Sequence, residues 1–149
     1  EDFGQYVPDS SAQFIEPPWK TILSNKGLLP LLWGMFEGHP NLLPAFFEDD
    51  PASVDFANFG TFVRKPMLSR QGANIQIVED GQTIFESDGP YGTEACILQE
   101  FKPLPNIKGR YPLLGCWMVA SKAVGLCIRE DQTLVTGKEA NFVPHVILG

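Results

Sequence analysis

The sequence predicts an α+β domain, helices first and mainly antiparallel strands after, on three observations. Apolar residues early in the chain recur at helical spacing: Trp19, Ile22 and Leu23, then Leu28, Leu29, Leu31, Leu32, Trp33 and Met35. From Phe59 onward the apolar runs shorten, gain β-branched and aromatic residues, and are bounded by Gly and Pro, as strands are. Ile75-Gln76-Ile77-Val78, Asp80-Gly81 and Thr83-Ile84-Phe85 spell a hairpin, because Asp-Gly tolerates the positive φ angles of a two-residue turn. Residues 1–50 are expected to be mainly helical and 51–149 mainly β, in a single domain or a fragment of a larger one.

The elements follow in order. Residues 1–15 are mixed, with a polar turn at Pro8-Asp9-Ser10-Ser11. Pro17-Pro18 opens a helix, since proline presets φ and lacks an N–H that the first turn would leave unpaired. A second helical run over 26–36 is apolar nearly all round, so it is buried or docks another part of the protein; Pro30 fits only within its first turn or at a kink. Residues 37–41 read as a loop, 44–47 as the start of a short helix, and 48–52 as an acidic linker. A strand over 60–65, closed by Pro66, leads into a polar loop, 69–74, and then the hairpin. A Gly/Pro turn covers 87–92 and a buried strand 96–101. A two-proline loop follows at 103–109, then strands over 111–120 and 123–129, and a mainly loop segment to Phe142.

With 44% hydrophobic residues among 149, the chain can bury a core. A net charge of −7 argues against a nucleic-acid or anionic-membrane surface. No apolar run approaches the roughly 20 residues that span a bilayer, and Glu1-Asp2 does not open a signal peptide. Lacking an initial Met, the chain is expected to be a piece of a longer polypeptide. Cys96, Cys116 and Cys127 are odd in number and irregularly spaced, which points to reduced thiols in a reducing, cytoplasmic compartment. Each sits in an apolar run and is expected to be buried.

The strand-loop-hairpin from Phe59 to Phe85 is one way to hold a nucleotide triphosphate without a Walker A loop. Lys65 at a strand end can reach phosphates, and backbone N–H groups near Gly72 can approach closely because Gly has no Cβ. The plainer reading of Lys65 is an edge lysine that keeps a strand from aggregating. Lys26 lies just ahead of an apolar helix, where a cation is locally unfavourable unless an anion binds; otherwise it is an exposed lysine. Arg70, Gly72, Ala73 and Asn74 form either a flap over phosphates or an ordinary turn.

Asn25-Lys26, Gly38-His39-Pro40-Asn41-Leu42-Leu43-Pro44, Arg64-Lys65-Pro66, Arg70-Gln71-Gly72-Ala73-Asn74 and Phe142-Val143-Pro144-His145 resemble the C-terminal part of the glutathionylspermidine synthase family, over about 19–145. That resemblance implies part of an ATP-grasp fold, with the hairpin region as a flap. It also implies an ATP-dependent acid–amine ligase that forms an amide through an acyl phosphate, with glutathione and spermidine as the small-molecule acid and amine. By the same resemblance Lys26, Lys65, Arg70, Gly72, Ala73 and Asn74 bind ATP phosphates. Gln99, Glu100 and Phe101 border the adenine, flanked by Ile97 and Phe101, and Arg129 is the catalytic cation at the transferred phosphate. Gln71 departs from the pattern, standing where Glu is expected.

Mg²⁺ is implied as well, with its ligands expected outside this chain. The pair Glu139 and Asn141 imitates an ATP-grasp metal motif, but the family places its metal acids upstream. The isolated chain is therefore expected to be inactive, completed by the rest of the parent polypeptide. His39 and His145 are too far apart to support a Cys-His amidase and read as structural. The alternative to a ligase segment is a non-catalytic domain that holds a nucleotide or docks a partner through the apolar helix.

Overall fold

The computed structural model describes residues 2–15, 18–58 and 60–148. The expected α+β architecture is present, as two antiparallel sheets with helices before them. Short 3₁₀ segments at Asp2–Tyr6 and Pro18–Ser24 precede helix α1, Leu28–Met35. Strand β1 is Ala45–Phe47 and helix α2 is Pro51–Asn58. Then come β2 (Phe62–Pro66), β3 (Gln76–Glu79), β4 (Gln82–Glu86) and β5 (Cys96–Glu100). The chain closes with β6 (Tyr111–Val119), β7 (Lys122–Asp131) and β8 (Asn141–Val143).

The first sheet runs β1-β5-β2-β3-β4, and the second β6-β7-β8. In the first, Lys65 stands opposite Ile97 and Val63 opposite both Gln99 and Ile77, so these side chains share a face. Ala45, Ile77 and Ile97, almost fully buried, form the core there together with Ile75. The opposite face carries Phe62, Arg64 and Leu98; Phe46, Phe56 and Phe62 stack in a chain across it, with ring centroids 4.9 Å and 6.3 Å apart. The hairpin turn is as expected: Asp80 and Gly81 take φ values of 49° and 73°, both positive. The described residues contain no helix long and apolar enough to cross a membrane.

Five local expectations change. Residues 45–47 are a strand, since Ala45, Phe46 and Phe47 pair with Gln99, Leu98 and Ile97; the long-range ladder overrides the helical tendency of a three-residue run. The acidic linker is a helix start: Asp50 Oδ1 accepts the N–H of Ala52 at 2.9 Å, and Pro51 occupies the first helical position. The segment before Phe142 ends in β8, pairing Asn141 with Glu130. The first helix is a 3₁₀ segment whose Trp19, Ile22 and Leu23 are exposed. Pro17, its expected opening, and Phe59, the expected strand entry, lie outside the described residues. Of the cysteines, only Cys96 is buried; Cys116 is exposed and Cys127 half-buried. Cys116 shares its face of the second sheet with Leu114, which is exposed as well.

Candidate functional site

The site is built at the end of β2. Pro66 ends the strand, and the backbone N–H of Lys26 donates to Met67 O at 2.8 Å, bringing the start of α1 against it. The fit is close: a Cβ on Gly27 would lie 2.8 Å from Met67 Sδ. Asn25 Oδ1 accepts the Gly27 N–H at 2.8 Å, fixing the turn that aims Lys26. Lys26 Nζ donates to the backbone oxygen of Ser69 and to its Oγ, the latter at 3.1 Å. Ser69, 1% exposed, also donates its hydroxyl to Pro66 O at 3.2 Å.

Lys65 projects from the core face, and its Nζ donates to Gln99 Oε1 at 2.6 Å. Gln99 is buried. The described residues give this ammonium a neutral amide and no carboxylate. Burial, then repulsion from Lys26, pushes Lys65 down to about 8 from the ordinary 10.5. Lys26 is lowered too, by burial first and by Arg70 next, against a smaller upward pull from Glu94. Arg70 donates to Leu68 O, to Ser69 O at 3.2 Å and to Ser24 Oγ at 3.1 Å. Lys26 and Arg70 therefore converge on Ser69, with Lys65 close enough to Lys26 to repel it and the carboxylate of Glu94 turned to the backbone N–H of Leu68 at 3.1 Å. Such a cluster is costly to assemble unless an anion occupies it.

The adjoining loop has a demanding backbone: Gln71, Gly72 and Asn74 take φ values of 55°, 74° and 53°. It is tied down by its neighbours. Ser87 Oγ donates to Gly72 O at 2.5 Å, and Asn74 Oδ1 accepts the Tyr91 N–H at 2.8 Å. Ala73 N donates to Arg70 O at 3.0 Å. A Cβ on Gly72 would come within 3.0 Å of Thr136 O and of Val135 Cγ1, so the β7–β8 loop lies against it.

Lys26, Lys65, Arg70 and Gln99 are thus brought together, with Gly72, Ala73 and Asn74 in the loop beside them. Glu100 and Phe101 sit where β5 ends, lining a cleft of about 390 Å³ with Pro44, Phe56 and Thr61. Ile97 is wholly buried in the core and cannot flank a ligand ring, a correction to the expectation for it. Arg129 stands on β7, opposite Leu113 and Phe142, and no described contact joins it to the lysines. Among the described residues no three His, Cys, Asp or Glu side chains are grouped to hold a metal ion. Glu139 is largely exposed, 4.0 Å from Lys138 Nζ. Two participants escaped the sequence: Ser69, which orients Lys26, and the 135–137 loop against Gly72. Only the polar character of 69–74 hinted at the first.

Fold and site together are an α+β unit in which Lys26 lies beside Lys65 and Arg70 at the end of β2. The family model described as "Glutathionylspermidine synthase preATP-grasp" matches residues 1–148. The chain belongs to the glutathionylspermidine synthase family. That description names the preATP-grasp region, so the narrower placement in the C-terminal part of the ATP-grasp region is corrected to membership of the family as matched. A candidate acid–amine ligase of Haemophilus influenzae is 38% identical over 97% of this chain and 37% of its own length. The trypanothione synthetase of Crithidia fasciculata is 36% identical over 87% of this chain and 19% of its own. The bifunctional glutathionylspermidine synthetase/amidase of Escherichia coli is 30% identical over 89% of this chain and 21% of its own. The chain thus spans well under half of each of these relatives.

Proposed function

We propose that this chain supplies the triphosphate grip of an ATP-dependent acid–amine ligase. The observation that carries the proposal is Lys65, a buried ammonium held by a neutral amide, beside Lys26 and Arg70. Oxygens of a polyphosphate are the acceptors such a cluster lacks, and Lys26, Lys65 and Arg70 would hold them. The Gly72 amide of the adjoining loop would add to that grip; the Ala73 amide is already engaged by Arg70 O, and the cleft at Glu100 and Phe101 opens on the Phe62 face, opposite Lys65.

In the reaction proposed, a substrate carboxylate oxygen attacks the terminal phosphorus and ADP leaves, giving an acyl phosphate. An amine nitrogen then attacks the acyl carbon, phosphate departs with the carbon–oxygen bond, and the nitrogen loses a proton to give the amide. Charge on the transferred phosphoryl group is spread over its oxygens, so fixed cations lower the barrier. Arg129 is the proposed cation for that step, because its fork is planar and permanently charged. Mg²⁺ would enter with the nucleotide, held by acids beyond the described residues. Glutathione and spermidine are the proposed acid and amine.

The test is calorimetric titration of the full polypeptide with ATP, wild type against Lys65→Ala. Loss of a charge-assisted bond worth about 1.5–3 kcal/mol should weaken affinity at least roughly tenfold. Unchanged affinity in a folded variant refutes the assignment.

A further inference from the structure

The three-stranded sheet has an unusual surface. Register places Trp117, Arg129 and Phe142 on one face and Leu114, Ile128 and Val143 on the other. Trp117 and Phe142 are 63% and 71% exposed on the first face; Leu114 is 65% exposed on the second, where Cys116 is open too. An antiparallel sheet that meets water on one side alternates apolar and polar residues. Here each face carries exposed apolar side chains toward the β6–β7 turn, and the charged Arg129 and Asp131 on one face and Glu130 on the other gather at the far end.

The edge is equally bare. β6 is terminal in the order β6-β7-β8, and its nine residues, Tyr111–Val119, include no Lys, Arg, Asp or Glu. Natural edge strands are blunted by such charges, by Pro, by bulges or by a covering element, because their free N–H and C=O groups recruit other strands; β6 carries only Pro112, at its start, and residues 113–119 beyond it keep their N–H groups. The one bulge lies near the turn, between Trp117 and Met118, and leaves residues 111–117 regular.

We propose that β6 and β7 form an internal layer of the complete protein. The part of the same polypeptide outside residues 1–149 adds a strand to the free edge of β6 and covers both faces of the ribbon. Three requirements select this occupant. A second copy paired edge to edge through a two-fold axis would extend the sheet and leave both faces uncovered. A separate partner would have to bury exposed apolar side chains on two opposite faces at once. A covalently continuous chain does so at high effective concentration, and the Haemophilus influenzae relative extends far beyond the matched stretch, which is 37% of its length. The inference meets the nucleotide assignment only at Arg129, which shares the Trp117 face; the β6 edge and the Leu114 face are independent of it.

Amide hydrogen exchange and maleimide labelling of the full polypeptide, shown to be monomeric by sedimentation, test it. Peptides covering 111–119 should exchange as slowly as those of β2 and β5, and Cys116 should stay unlabelled until unfolding. Leu114→Lys should speed exchange across β6 at least tenfold while leaving β2 and β5 unchanged. Fast exchange of β6 with prompt labelling of Cys116 in the monomer overturns the proposal. Protection that rises with protein concentration overturns it in favour of a second copy.

Discussion

Replacing Lys65 with methionine isolates the energetic consequence of a buried cation. Lys65 is pushed down from 10.5 to about 8, mainly by burial, and each unit is worth about 1.4 kcal/mol. For a base the sign is as follows. Between pH 8 and 10.5 the unfolded chain holds the proton that the folded chain has released. Stability therefore rises with pH across that window, and the penalty is fully present below about 8. From pH 7 to pH 10 the recovery is about 2.5 kcal/mol, or roughly 5–10 °C in Tm for a domain of this size. Lys65→Met has no such group, so the wild-type Tm should rise relative to that of the variant by that amount over the range. Subtracting the two profiles cancels the titration of the other lysines and tyrosines. At neutral pH the variant also leaves the Gln99 carbonyl without its donor, a cost of about 1–3 kcal/mol, so the absolute Tm is less telling than the slope. Bound phosphate should restore the proton. ATP titrations at pH 8.5 in buffers of different ionisation enthalpy should show proton uptake in the wild type that Lys65→Met lacks. Parallel stability profiles, or equal proton uptake in both proteins, would refute the reasoning.

Arg64 donates to Glu48 through Nε at 2.5 Å and through its terminal nitrogen at 3.0 Å, on the face opposite Lys65. Arg64→Ala should lower stability by up to about 1 kcal/mol, because the pair is partly exposed, and leave ATP affinity within twofold by calorimetry; an affinity loss equal to that of Lys65→Ala contradicts this. Gly72→Ala meets a positive φ and two contacts at 3.0 Å, so thermal denaturation should show a loss of about 1–3 kcal/mol. A neutral result would mean the β7–β8 loop moves aside freely. Asp50→Ala removes the cap of α2 and should cost about 1 kcal/mol in urea denaturation, with Asp50→Asn recovering most of it.

The parts of the fold legible in the sequence are those whose signal is local. The hairpin was readable because Asp80-Gly81 states its own turn, and β5 because its apolar run is bounded by charge and proline. β1 and β8 were not: each is three residues long, and only pairing with β5 and β7 makes it a strand. The α2 start was readable in Asp50-Pro51 but masked by the neighbouring acids, of which Glu48 is drawn off by Arg64. The site divides the same way. Lys65 and Arg64 were separable by strand alternation alone. That Gln99 reaches across to Lys65, and that Ser69 turns its oxygens to Lys26, depends on partners 34 and 43 residues distant.

The order β1-β5-β2-β3-β4 places the last strand of the first sheet between its first two. During synthesis the hairpin of β3 and β4 can close within microseconds, on local contacts. β1 and β2 must instead wait, each with an unsatisfied side, until residues 96–100 have emerged and slotted between them. Lys65 meets Gln99 only at that moment. A nascent chain halted before β5 therefore holds Lys26, Lys65 and Arg70 but lacks the buried amide that receives Lys65.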